Sequence, residues 1–370
     1  MTTNVLPRRR TPVARVRLVR TGLAAGLAFA LSACAGDREV VAPAGVTATA
    51  TTAATAAWPT VHLLADMPSA PIMIPHAAYP PPDQRYVMDP VALVTRLQAV
   101  YGDIGKVDFL VVMPTKPLIT HTASVANRSI TGIGPCPGCS LPAAPQLKSV
   151  AEMAFYADWA HADSIGFDPM LFFSGFQNSL LHELGHYWLV NITNFGTTYP
   201  GHYTNTLDLF YGDTTHVDPL AGAHWTTRAG RAQCVSFLPP STSPRFSDVS
   251  LYLMGLIPPE QVAPVTQYKF ASIPGDPAYN AAGPMCGQPY KIINKRTVTI
   301  QDIIATHGVR TPSSAVSQKN FTAMFVVVHP AGEPPPAGFV AYAGAFADVL
   351  PTTWAEATRF RSGMKIAEMP

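Results

Sequence analysis

The sequence predicts an α+β domain, and three stretches carry that prediction. "KVDFLVVMP" (Lys106 to Pro114) has a continuous apolar centre and a proline stop, the pattern of a buried strand. "DPVALVTRLQAVYG" (Asp89 to Gly102) places an aspartate at a helix N-cap, a proline at the first helical position and apolar residues at helical spacing. "NSLLHELGHYW" (Asn178 to Trp188) lies in a second expected helix, Phe176 to Val190, whose core-facing side is Leu180, Leu181, Leu184, Trp188 and Leu189.

Taken in order, the chain begins with arginines at positions 8, 9, 10, 15, 17 and 20, followed by the apolar run "TGLAAGLAFAL" (Thr21 to Leu31). That run is too short to span a membrane comfortably, and residues 1–33 read as an export signal. It ends in "LSAC" (Leu31 to Cys34), which resembles the bacterial lipobox, so cleavage before Cys34 and lipidation of that cysteine are expected. Several acyl chains on one residue anchor firmly where a single chain binds only marginally. Ala35 stands where an inner-membrane retention aspartate would be, so in a Gram-negative cell the expected address is the outer membrane.

Six of the 25 basic residues and none of the 23 acidic ones lie in the first 33 positions, so the chain beyond them carries a net charge of −4. No basic patch with interleaved aromatics survives there, which excludes nucleic acid as an expected partner. Residues 34–57 are Ala/Thr-rich and lack aromatic anchors, the composition of a flexible tether. Residues 58–370 then form one expected domain, with no internal repeat and no second apolar run of the roughly 18 residues a membrane helix needs.

Within that domain, the proline-rich stretch from Trp58 to Pro82 is expected to lie extended over the surface, and Ala123 to Gly134 reads as a further strand. Asn191 to Pro244 is rich in Gly, Thr, Asp, His and Pro without a long periodic run, and reads as a long irregular region. "SDVSLYLMGLIPPEQV" (Ser247 to Val262) reads as a short helix or turn, "TVTIQDIIATHG" as a strand feeding a helix, and "FTAMFVVVHP" as a second buried strand. Besides Cys34 the cysteines are Cys136, Cys139, Cys234 and Cys286. In an exported protein this even set reads as disulfides, and of three connectivities Cys136 with Cys139 and Cys234 with Cys286 is favoured.

The chemistry concentrates in "HELGHYW" (His182 to Trp188). Positions i and i+4 stack on one helix face, so His182 and His186 direct two imidazoles at one point with Glu183 alongside. That suits catalytic zinc, which takes three protein ligands and keeps a fourth position for water, with Glu183 as the general base. Five of the eleven histidines fall between positions 182 and 224, which favours function for the loop region that follows.

The third ligand stays open on spacing alone. A metzincin pattern needs glycine at 189 and histidine at 192, where this chain has Leu189 and Ile192. A gluzincin pattern needs a downstream glutamate, and none occurs between Glu183 and Glu260. His202, His216, His224, Asp208, Asp213, Asp218 and Asp248 remain. His202 and His216 read as polar loop residues or as hydrogen-bond donors to an oxyanion. Met254 reads either as a core methionine or as the floor of a zinc site, and Tyr252 as a possible oxyanion donor.

With "HELGHYW", "GAHW" (Gly222 to Trp225) and "FSDVSLYLMGL" (Phe246 to Leu256) in this order, the chain resembles a group of exported bacterial zincin-like metalloproteases over about Val107 to His329. The resemblance implies a zincin-like domain with a mixed sheet, an active-site helix and long loops. It further implies Zn2+ as cofactor, His224 as third ligand, and a protein or peptide substrate whose peptide bonds are hydrolysed. "TLDLFYG" (Thr206 to Gly212) is partly similar to the Thr-x-Asp-x-x-Tyr-Gly of aspzincins, with asparagine in place of the preceding glycine, and makes Asp208 the second candidate. Two alternatives stand beside a peptidase: an envelope lipoprotein that uses the fold only for binding, and a zinc amidase acting on cell-wall peptide. No Gly-x-Ser-x-Gly elbow, phosphate-binding loop or dinucleotide fingerprint competes.

Overall fold

A computed structural model describes residues 59–119, 123–127, 129–134, 140–141, 145, 147–154, 179–188, 192, 208–211, 218–219, 224–228, 231–236, 244–271 and 289–368. The export signal, the tether, Cys34, Cys136, Cys139 and Cys286 lie outside these residues, and so does any test of the expected disulfides.

The elements run β1 (Val61–Asp66), β2 (Met73–Pro75), β3 (Tyr86–Met88), α1 (Pro90–Tyr101), β4 (Phe109–Pro114), β5 (Ala123–Ala126) and β6 (Ser149–Glu152). The motif helix α2 follows, helical over 179–185. Then come β7 (Asp208–Tyr211), β8 (His224–Arg228), β9 (Arg231–Ser236), α3 (Asp248–Met254), β10 (Val265–Ala271), β11 (Pro289–Val298), α4 (Ile300–His307), β12 (Asn320–Pro330), α5 (Ala337–Ala357) and β13 (Gly363–Ile366). Helices combined with mixed sheets make this an α+β protein, as the sequence predicts. Among the described residues no helix is long and apolar enough to cross a membrane.

The sheet that carries the site has the order β1-β12-β4-β6-β5, with β13 paired to the first half of β12. β1, β12, β4 and β6 are mutually parallel, and only the edge strand β5 runs antiparallel. Parallel strands are covered on both faces and therefore read as unbroken apolar runs. β4 is buried at all six positions, and β12 is buried from Ala323 to Val328. Alternate residues divide the core in two. Phe109, Val111 and Met113 of β4 pack with α2, α3 and α5, while Leu110 and Val112 pack with Leu93, Val94 and Leu97 of α1.

Helix α1 forms as the sequence requires. Its Asp89 cap accepts hydrogen bonds from the Val91 and Ala92 amides at 2.9 and 3.1 Å, and Gly102 ends it at φ 76°, a conformation glycine reaches without steric cost. α4 starts on a complete capping box between Thr299 and Asp302.

Four expectations need correction. The stretch 58–82 does not merely lie over the surface: "VHLLAD" inside it is β1, the strand at one end of the sheet order, paired in parallel with Phe325 to Pro330 of β12. Its apolar residues are interrupted by His62 and Asp66, so it shows neither a continuous apolar run nor a strict alternation. Ala123 to Gly134 is a strand only as far as Ala126. The region 191–244 is not simply irregular, because its described residues include β7 and the antiparallel pair β8 and β9, with Arg228 opposite Arg231. These join a second sheet of order β7-β10-β11-β9-β8. Finally, regular α2 stops at Gly185, short of the expected Val190. The Tyr187 and Trp188 amides donate to carbonyls three residues back, at 3.3 and 2.9 Å, so the last turn tightens just after a glycine.

Candidate metal centre

The motif helix is held to the sheet by Leu180, Leu181, Leu184, Tyr187 and Trp188, an i, i+1, i+4, i+7, i+8 stripe that is buried throughout. Trp188 lies within an aromatic cluster, 5.8 Å from Phe109, 5.4 Å from Phe321 and 6.0 Å from Trp354 between ring centroids. Edge-on and tilted pairs of this kind each contribute about 0.5–1.5 kcal/mol beyond area burial. The stripe fixes the rotation of the helix, and with it the flank that bears His182 and His186.

On that flank the two imidazoles meet edge to face, 4.5 Å between centroids at 85°, with their Nε2 atoms 3.0 Å apart. The His186 amide donates to the His182 carbonyl at 3.1 Å, so the two residues are joined by the helical bond that i, i+4 spacing requires. His182, Glu183 and His186 bring one ligand atom each within 4.8 Å of one another, the one such group among the described residues. Glu183 is buried, with 4% of its surface exposed.

The arrangement fits zinc. Two nitrogens bound at zinc–nitrogen distances of about 2.0–2.1 Å and a tetrahedral angle stand about 3.3 Å apart, close to the separation seen here. The second imidazole nitrogen of His182 is also engaged: Nδ1 lies 2.7 Å from the Pro219 carbonyl oxygen. A carbonyl only accepts, so Nδ1 carries the proton and the Nε2 lone pair is left to face His186. An outer hydrogen bond of this kind orients a ligating histidine and fixes its tautomer.

A residue without a sequence motif completes the electrostatics. Glu152, the last residue of β6, is 7% exposed. Burial, with the neighbouring charge of Glu183 as second cause, pushes its carboxyl up to about 7. The available signal in the sequence was a lone acid ending an apolar stretch, "SVAEM", which without the fold gives no hint of proximity to Glu183.

The remaining candidates separate. Asp218 is buried and accepts from the Ser247 amide at 2.8 Å and the Ser250 hydroxyl at 2.7 Å, so its carboxylate anchors α3. Asp248 is ion-paired with Arg359 at 2.5 Å and sits in the first turn of α3. Tyr252 is buried and its hydroxyl accepts from the Arg310 amide at 3.2 Å, and Met254 is buried in the core. His224 opens β8 opposite Ser236, with a register shift between it and Trp225, and Asp208 opens β7 opposite Lys269. His202, His216 and Asp213 lie outside the described residues.

Compared with known proteins, the chain matches no family model, no curated protein and no solved structure.

Proposed function

We propose that this chain is a zinc-dependent metallopeptidase, an exported lipoprotein with a zincin-like domain that hydrolyses peptide bonds. The observation that carries the reading is the pair of imidazole nitrogens, 3.0 Å apart, beside the buried carboxylate of Glu183. His182 and His186 would hold the metal through Nε2, with His224 as third ligand and Asp208 as the second candidate. When bound, zinc supplies Lewis acidity toward water and the scissile carbonyl. Glu183 takes the proton of the attacking water on a carboxylate oxygen and delivers it to the leaving amine. A base beside the metal has no use in a purely structural zinc site, which four protein ligands usually close.

Zinc content and hydrolysis of an unstructured protein substrate, measured on the parent, His182→Ala and Glu183→Gln, test this. The expected result is about one zinc per parent chain, its loss in His182→Ala, and retained zinc with hydrolysis lowered at least about a hundredfold in Glu183→Gln, the scale of a lost general base. Full hydrolysis by Glu183→Gln removes the proposed base, and a parent that takes up no zinc sinks the peptidase.

A further inference from the structure

Between the motif helix and α3 runs a connection that the reaction itself does not use. Pro219 offers its carbonyl to His182 Nδ1 at 2.7 Å, and the residue before it, Asp218, is tied by one carboxylate oxygen to two groups at the start of α3. Those groups are the amide of Ser247 and the hydroxyl of Ser250, and Ser247 is the cap of α3, its own hydroxyl accepting from the Ser250 amide at 3.2 Å. α3 is in turn fixed to the core by Val249, Leu251, Tyr252, Leu253 and Met254, all buried. The Pro219 carbonyl is thus held by an adjacent buried carboxylate that reaches a helix buried in the core.

We propose that Asp218 is a positioning residue: by clamping the 218–219 segment to α3, it sets the Pro219 carbonyl that holds His182 in the Nδ1–H tautomer, with Nε2 presented for metal. This rests on the reading of His182 as a metal ligand. A proline carbonyl suits the task, since its residue has no amide hydrogen to compete and its φ is fixed near −65°. Loss of an outer partner of a metal-ligating histidine costs about 10- to 100-fold in metal affinity. The tautomer prediction applies without metal: with Nδ1 protonated, the 3.0 Å approach of the two Nε2 atoms is satisfied by His186 donating to His182.

The experiment uses the full chain as parent, Asp218→Ala, Asp218→Asn and Ser250→Ala. Long-range proton–nitrogen NMR reads the His182 tautomer in metal-free protein, chelator competition reads zinc affinity, and urea unfolding reads stability. The Nδ1–H form is expected in the parent. A tautomer mixture with zinc affinity down about 10- to 100-fold is expected in Asp218→Ala, and a smaller shift in Ser250→Ala. Asp218→Asn, which keeps an acceptor oxygen in place, is expected near the parent. Affinity and tautomer unchanged in a folded Asp218→Ala overturn the proposal. Where that variant fails to fold, an unchanged Ser250→Ala overturns it, as does a loss of zinc that only tracks lost stability. A parent that binds no zinc sinks the metallopeptidase reading instead, and the tautomer of the metal-free variants then decides the clamp by itself.

Discussion

The two larger sheets divide the proposed chemistry between them. The parallel sheet is packed on both faces, β4 and the middle of β12 are apolar without interruption, and it carries the helix that brings His182, Glu183 and His186 together. The five-stranded antiparallel sheet is built from strands such as "HWTTR", "RAQCVS" and "PYKIINKRTV", in which polar residues recur, and it carries both leading candidates for the third ligand, His224 and Asp208. An antiparallel sheet can keep one face in water, so it tolerates such strands, whereas a covered parallel sheet does not. On the proposed reading, His182, His186 and Glu183 are set by core packing, while the third ligand comes from a strand whose sequence is much less apolar.

The largest effect should come from the first region. Trp354 is fully buried, sits 6.0 Å from each of Trp188, Phe246 and Phe321, and donates to Ser362 Oγ at 2.8 Å. Trp354→Ala is expected to cost about 3–5 kcal/mol in urea unfolding, and through Trp188 to loosen the helix turn that carries His186. A cost below about 1 kcal/mol would mean that the aromatic cluster does not set the site, and the contrast between the sheets would fail.

Next in size is the test of the second region. Removing a ligand should cost more than removing an outer partner, so one of His224→Ala and Asp208→Ala should lower zinc affinity by more than about a hundredfold, about 2.8 kcal/mol. Urea unfolding of the same metal-free variants separates a lost ligand from a lost fold: a ligand's loss lowers affinity by more than any change in stability accounts for. Zinc affinity unaffected by both substitutions would take the antiparallel sheet out of the site and move the third ligand to another loop residue.

Glu152 gives the third effect, with a sign that follows from its burial. Its folded-state carboxyl is raised from 4.5 to about 7, so the native state keeps a proton that the unfolded state releases. In metal-free protein its contribution is then fullest below about pH 4.5, declines as pH rises, and is gone above about pH 7. The parent should lose on the order of 3 kcal/mol across that window relative to Glu152→Gln, which has nothing to titrate. Glu183→Gln should narrow the window from its upper end by removing one of the two causes. A difference between parent and Glu152→Gln that stays flat with pH would show that the two carboxyls do not share a buried environment.

How far the sequence could be read follows the same division. "FLVVMP" and "MFVVVHP" declare their burial through apolar runs, and Asp89, Pro90 and Gly102 declare the ends of α1, because each signal is local. The pair His182 and His186 with Glu183 is legible for the same reason: one helical turn contains all three. β1 escapes because His62 and Asp66 break its apolar run inside a proline-rich stretch, and β7 to β9 escape because short polar strands in a Gly- and Thr-rich stretch take their identity from the partner strand. Glu152 and the clamp of Asp218 escape altogether. Glu152 answers to the charge of Glu183, 31 residues away in sequence, and the clamp joins Asp218 to Ser247 and Ser250, 29 and 32 residues away, and Pro219 to His182, 37 residues away, none of which a local pattern encodes.

The smallest predicted effect asks whether charge or burial holds α3, the element that joins the clamp to the core. Asp248 pairs with Arg359 at 2.5 Å, and both side chains are about three-tenths exposed, at 26% and 30%. Exposed pairs contribute about 0.2–1 kcal/mol, against a helix whose residues from Val249 to Met254 are all buried. Asp248→Asn preserves the shape and should therefore cost less than about 1 kcal/mol, with the difference shrinking further in about 1 M salt. Zinc affinity should be unchanged, because Asp218 binds Ser247 and Ser250 and not Asp248. A loss approaching that of Asp218→Ala would place the hold on α3 in its surface charge, and the proposed metal site would then depend on ionic strength in a way that packing against the parallel sheet does not allow.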